Sequence, residues 1–399
     1  MTVKATGFSP WKKRQRKAPS LLPPGRRILN GAKPLTRELD RIDSIMIGEF
    51  PPAIEELRRY HTERREQAVT VTCEKSPVPM LWLDTSVLID LAKIENGENI
   101  DAIRAAALTE LRNKIEQLGV RQKLICPEWD QSTEFEGKRL EKEINEISAR
   151  IALGAHCVPY QGVKDEQMRL GTTEYRANSG RIDIPWAVHF YGDPRSRVAE
   201  TISQGFVIVS ELEKPEEWIQ KSDRDRDATH AAWEGLRQEF IAEGRTFEDQ
   251  VRHEKVGEAY SMIKMLAVYH RKTQSAELDM WDKLSVEGFL KWMASWGSTP
   301  EESIAALFAY MHSPYYGELP IVDVACRLSA DLVVRPPGVK RGDSMDVQHL
   351  ATAIPLSHYV LADKAMTDRC GRLGLGAKYR TKIYSSKTID GLLAELELL

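Results

Sequence analysis

Cysteine is scarce in this chain. There are five in 399 residues, namely Cys73, Cys126, Cys157, Cys326 and Cys370, and no two stand in a Cys-x-x-Cys pair. That spacing excludes a zinc ribbon, and an odd, scattered set excludes a disulfide framework; reduced, mostly buried thiols in a cytoplasmic protein are expected. Long apolar runs are missing too. No stretch of 18 residues is apolar throughout, so no membrane-spanning helix is expected. The N-terminus carries no apolar leader, which argues against secretion. No convincing Ser/His/Asp or Cys/His arrangement is visible, so chemistry through a side-chain nucleophile is not indicated. Acid is absent from residues 1–33, which instead hold nine Lys or Arg; against a net charge of −3, this leaves −12 on the rest of the chain.

What is present is ordinary for a folded protein: 42% hydrophobic and 29% charged residues, at a length that suggests two to three domains. Residues 1–33 form a basic arm broken by Pro10, Pro19, Pro23, Pro24 and Gly25. Its core is Trp11 followed by Lys12, Lys13, Arg14, Gln15, Arg16 and Lys17. Such an arm is either a solvated tail or a grip on a phosphate backbone. Residues 34–79 form an N-terminal, mainly helical segment. Strands are expected at Leu81–Asp84, Lys123–Cys126, Tyr359–Ala362 and Lys382–Tyr384. Helices lie between them, including a long charged one from Gln131 to about Leu153, one over Asp346–Pro355 and one over Thr388–Leu398. Capping-box spacings at Ser210/Glu213 and Ser298/Glu301 mark helix starts in the middle of the chain. Gly205–Ser210 reads as a strand or a buried helix start, and Tyr260, Ile263 and Leu266 fit one amphipathic helix. Strands alternating with helices indicate an α/β chain with a parallel sheet, interrupted over 156–319 by a large, mostly helical insertion.

Acids punctuate the strand ends. Asp84 follows Leu-Trp-Leu and precedes Thr85 and Ser86; Asp346 opens an apolar helix; Asp363 closes Tyr-Val-Leu-Ala. Each alone suits a helix cap or a turn, as Ser344 also would. Ser86 excludes a haloacid-dehalogenase phosphatase, which needs Asp there, and Leu88 excludes an Asp-x-Ser-x-Ser metal site. Glu134, with Glu136 as fallback, follows the second strand on a helix whose other acids make a solvated face an equal reading. Asp90, Asp343 and Asp368 have weaker claims. His349 reads as a packed core residue, and Trp281, Trp292 and Trp296 as core rather than base-stacking groups. Carboxylates gathered at strand ends cost heavily unless a cation compensates, and oxygen-only donors favour Mg²⁺ or Mn²⁺.

Leu83-Asp84-Thr85-Ser86-Val87-Leu88-Ile89-Asp90, Asp346-x-x-His-Leu-Ala-x-Ala and Tyr359-Val360-Leu361-Ala362-Asp363 resemble the PIN-domain nucleases, with Ile125-Cys126-Pro127 and Glu134-Phe135-Glu136-Gly137 a looser match. The resemblance covers about 80–155 and 320–399, the two halves of one domain. It implies a PIN-like three-layer α/β/α sandwich and a metal-dependent nuclease, foremost an endoribonuclease. Asp84, Glu134, Asp346 and Asp363 would be the metal-holding catalytic quartet, with Ser86 as a polar helper. Lys12, Lys13, Arg14 and Arg16 would hold the RNA backbone. Toxin–antitoxin membership would add a small inhibitory protein as partner, and self-association is compatible with it. The chain departs from the family in its size, its insertion and Ala362, where Thr or Ser is common. The rival expectations are a catalytically inactive PIN-like module that binds nucleic acid or protein, and a DNA-directed nuclease of a defence system.

Overall fold

A computed structural model describes residues 68–129, 139–205, 216–257 and 309–399. The fold is mixed α/β, with short parallel sheets. In chain order the elements are β1 (Thr70–Cys73), β2 (Leu81–Leu83), α1 (Thr85–Glu95), α2 (Ala102–Val120), α3 (Glu141–Ala152), α4 (Tyr160–Ala177), β3 (Arg181–Ile184), α5 (Pro194–Gln204) and α6 (Glu216–Ala242). They continue with α7 (Pro314–Gly317), α8 (Pro320–Val334), α9 (Asp343–Leu356), β4 (Tyr359–Ala362), α10 (Lys364–Arg372), α11 (Leu375–Tyr379), β5 (Lys382–Ser385) and α12 (Ile389–Glu397).

The main sheet runs β2–β4–β5, all parallel, with Leu81 opposite Tyr359 and Tyr359 opposite Lys382. Side chains alternate across it. Leu81, Leu83, Tyr359 and Leu361 pack with α1, α2, α3 and α12 on one side. Trp82, Val360 and Ala362 pack with α4, α8, α9 and α10 on the other. A strand covered on both faces must be apolar at every position, which is why Leu-Trp-Leu and Tyr-Val-Leu-Ala run without a polar break. Leu361 is wholly buried, and truncating such a side chain costs about 2–5 kcal/mol.

Single bridges extend the sheet beyond β2. Met80 pairs in parallel with Ile125, Glu128 in parallel with His156, and Cys157 antiparallel with Phe190. The chain therefore builds outward from β2 in one direction, then returns to place β4 on the other side of β2. The strand order reverses between β2 and β4, and the crevice at the carboxyl ends of two such strands is where open α/β sheets bind ligands.

Several expectations are met closely: β4 matches its expected bounds, β5 is longer by one residue at its end, and α12 is shorter by one residue at each end. Others differ. Thr70–Cys73 is a strand inside the segment expected to be helical, and it pairs in parallel with Arg181–Ile184 inside the supposed helical insertion. The insertion is not an appendage either. Val163, Met168, Tyr175, Ile182, Trp233 and Tyr310 share one core with Trp82 and Val360. Lys75 clasps these parts together. Its ammonium donates to the carbonyls of Ser357 (2.6 Å), Pro355 (3.0 Å) and Ile354 (3.3 Å) and to Thr381 Oγ1 (2.9 Å), and so caps the C-terminus of α9. Burial pulls the Lys75 pKa down to about 7. The expected second strand is reduced to the Ile125 bridge, because Pro127 lacks the N–H to continue a ladder. All five cysteines are free and buried. Among the described residues no helix is long and apolar enough to cross a membrane.

The basic arm, the segment 34–67, Glu134, Glu136, the capping positions Ser210, Glu213, Ser298 and Glu301, the helix through Tyr260, and Trp281, Trp292 and Trp296 lie outside the described residues.

Candidate functional site

Asp84 is the first residue beyond β2. Its backbone is extended (φ −65°, ψ 149°), and its Oδ1 accepts the N–H of Ser86 at 2.8 Å, capping α1. Its own N–H donates to Leu361 O at 2.9 Å, which ties it to the neighbouring strand. Asp363 repeats the arrangement beyond β4: its Oδ1 accepts the N–H of Met366 at 2.7 Å and caps α10. Because Leu83 and Leu361 are register partners, the two acids stand at the ends of adjacent strands, about 5 Å apart laterally by strand spacing. Two short acidic side chains are thus fixed at the edge where the strand order reverses.

The third acid arrives on α9. This helix ends at Leu356, with two residues between it and β4, so it runs back across the sheet and its N-terminal turn lies at the carboxyl edge. Its N-cap is Gly342, and no side chain caps it. Neither Asp346 nor Ser344 is a cap, and the helix starts three residues earlier than the sequence suggests. Asp346 is half-buried in the first turn. Asp343, one of the weaker candidates, is 6% exposed and accepts the N–H of Lys340 at 2.7 Å. Burial pushes its pKa above the ordinary carboxylate value and the charge of Asp363 adds to this; the Lys340 N–H, Arg369 and Lys340 oppose it. Asp343 and Asp363 therefore feel each other at one edge, and among the described residues neither makes an ion pair.

Asp84, Asp346 and Asp363 are brought to the same edge, with Ser86 in the first turn of α1 lending its N–H to Asp84. No group of three His, Cys, Asp or Glu among the described residues stands close enough to form a ready metal cage. The donors that are present are hard oxygens, and the Asp343–Asp363 pair carries like charge that a cation would relieve. His349 is 4% exposed and lies 6.4 Å from the Trp82 ring, a core position as expected. Asp90 pairs with Lys93 and Arg104, and exposed Asp368 with Lys364.

A support behind the edge was not visible in the sequence. Arg369 on α10, 2% exposed, donates to Asp331 Oδ2 (2.8 Å) and to Gly338 O (3.1 Å), joining α8, the loop before α9 and α10. Gly338 has φ +105°, and a Cβ there would stand 3.1 Å from Arg237 Nε, so only glycine fits. Asp331 and Arg335 show i,i+4 spacing, but nothing in the sequence links Asp331 to Arg369 or Arg372. The outer segments also bring Glu128 and His156 to this edge of the sheet, paired at 2.7 Å.

Comparison with models of protein families, with curated proteins and with solved structures returned no match to this chain.

Proposed function

We propose that the chain is a metal-dependent nuclease of PIN-like architecture, acting first on RNA. The observation that carries this is the placement of Asp84 and Asp363 at the ends of adjacent parallel strands, where the strand order reverses, with the acidic first turn of α9 at the same edge. Asp84, Asp346 and Asp363 would hold Mg²⁺ or Mn²⁺, with Glu134 completing the set. The chemistry such a cation supplies is Lewis-acid activation of water and of the phosphoryl group. The chain's own part is positioning. The Ser86 and Met366 amides lock the rotamers of Asp84 and Asp363, so these carboxylates need no rearrangement. The N-termini of α1 and α10 favour the negative charge of a phosphodiester. Lys12, Lys13, Arg14 and Arg16 would grip the backbone beyond the site.

A second reading has its own support. Asp84 and Asp363 do cap helices, and the described residues form no ready cage; an inactive binding module fits both facts. One experiment separates the two. Purified protein is incubated with RNA and single-stranded DNA panels in Mn²⁺, Mg²⁺ or EDTA, beside the Asp84→Asn/Asp346→Asn variant. Cleavage that needs metal and falls at least about 100-fold in the variant supports the nuclease, since even outer-shell partners of metal ligands are worth 10- to 100-fold. The substrate cut decides between RNA and a DNA-directed enzyme. Equal inertness of both proteins supports the binding module.

A further inference from the structure

We propose that His156, oriented by Glu128, is a contact for a backbone phosphate of single-stranded nucleic acid laid along the carboxyl edge of the sheet. This inference rests on the nuclease reading for its ligand and on separate residues for its evidence. Glu128 Oε2 meets His156 Nδ1 at 2.7 Å. Their main chains are locked as neighbours: Glu128 N–H donates to Ala155 O (2.9 Å), Cys157 N–H to Glu128 O (2.8 Å) and Tyr191 N–H to His156 O (3.3 Å). With Nδ1 engaged, Nε2 has no partner among the described residues, and the His156 side chain is 53% exposed. A seated imidazole that is half-exposed and whose second nitrogen has no partner among the described residues is a donor awaiting an acceptor.

Its location gives the acceptor. Met80 and Ile125 are parallel partners, so Glu128, three residues on, and Asp84, four residues on, lie at nearly the same level. The segment carrying Glu128 is one strand from β2 and the one carrying His156 is two, about 5 and 10 Å sideways by strand spacing. That offset suits a phosphate flanking the one at the acids rather than the scissile group itself. Stability is a weaker reason for the pair, because His156 is more than half exposed and ion pairs open to solvent contribute at most about 1 kcal/mol.

The charged groups acting on the imidazole are Glu128 and, from α5, Arg197, which itself pairs with Glu200. The hydrogen bond that His156 Nδ1–H donates to the Glu128 carboxylate raises the His156 pKa and outweighs burial and Arg197. The cationic form, a donor at both ring nitrogens, therefore persists to higher pH than in a free imidazole.

The test is fluorescence anisotropy of a labelled single-stranded RNA with the full chain in EDTA, where no cleavage is expected, from about pH 5 to about pH 9, bracketing the ordinary histidine value. Wild type should bind more tightly as pH falls through the imidazole titration. His156→Gln should bind about 3- to 10-fold more weakly at the acidic end, lose that pH dependence, and show a salt slope smaller by about 1, the signature of one lost phosphate contact. His156→Arg should keep the affinity and lose the pH dependence. Glu128→Gln should move the midpoint to lower pH. Wild-type affinity, pH profile and salt slope in His156→Gln would overturn the inference, as would wild type that binds no RNA at any pH. Metal-dependent cleavage by wild type, measured separately, tells whether the nuclease reading survives that failure.

Discussion

Two pairs of acids, one wholly buried on α8 and one at the carboxyl edge with Asp343 buried and Asp363 half-buried, are treated in opposite ways. On α8, Asp323 and Asp331 are wholly buried and surrounded by cations. Asp323 takes Lys378 (2.8 Å), Arg327 (2.9 Å) and Lys255 (3.3 Å), with the Tyr379 hydroxyl donating at 2.9 Å. Asp331 takes Arg372 (2.7 Å), Arg369 (2.8 Å) and Arg335 (3.1 Å). At the carboxyl edge, Asp343 and Asp363 receive backbone N–H groups and no ion pair among the described residues. The pKa values diverge accordingly. Burial alone would raise Asp323, but Lys255, Lys378 and Arg327 hold it below the ordinary value. Burial raises Asp343, and Asp363 raises it further. The cations that compensate Asp323 and Asp331 have no counterpart at Asp343 and Asp363 among the described residues, and the divalent cation we propose would have the charge and ligand preference to fill that role.

This contrast can be broken by substitution. The largest effect belongs to Asp331→Ala, which strands the buried guanidinium of Arg369 and should cost about 3–5 kcal/mol, as loss of one partner from a buried ion pair does; urea unfolding measures it. Asp323→Ala should fall in the same range. Lys75→Met comes next. It removes the ammonium donor from the Pro355 carbonyl and leaves Ile354 and Ser357 to the Thr381 hydroxyl alone, and should cost about 1–3 kcal/mol. Asp343→Asn should go the other way. A carboxyl whose folded pKa is raised opposes folding as pH climbs above its ordinary value, so at neutral pH and without metal the amide variant should melt at or above wild type. A large loss of stability there would erase the distinction between the two sets. The smallest effect is at His156. Its raised pKa contributes stability below the ordinary histidine value, which is lost as pH rises through the folded pKa. A slight fall in melting temperature across that window should be present in wild type and absent in Glu128→Gln.

The central sheet was legible because β2 and β4 are apolar runs closed by an acid, a signal that needs only local sequence. Asp84 and Asp363 were legible for the same reason, since each ends a strand and begins a helix. Asp343 was underrated. Its burial depends on α9 starting at Asp343, and no capping side chain announces that start. Glu128, His156 and Arg369 were missed because each acts through a partner at least 28 residues away in the chain. Strand β1 was read as helix because Thr70–Cys73 becomes a strand only by pairing with Arg181–Ile184, a contact across more than a hundred residues.

The most direct test of the central claim is thermal melting of wild type and Asp84→Asn/Asp346→Asn across a Mn²⁺ titration from EDTA. Only wild type should be stabilised, by about 2.7 kcal/mol at 100 times the dissociation constant, and Mg²⁺ should compete. Identical melting of the two proteins at every Mn²⁺ concentration would contradict it, and would make the acidic edge a set of helix caps.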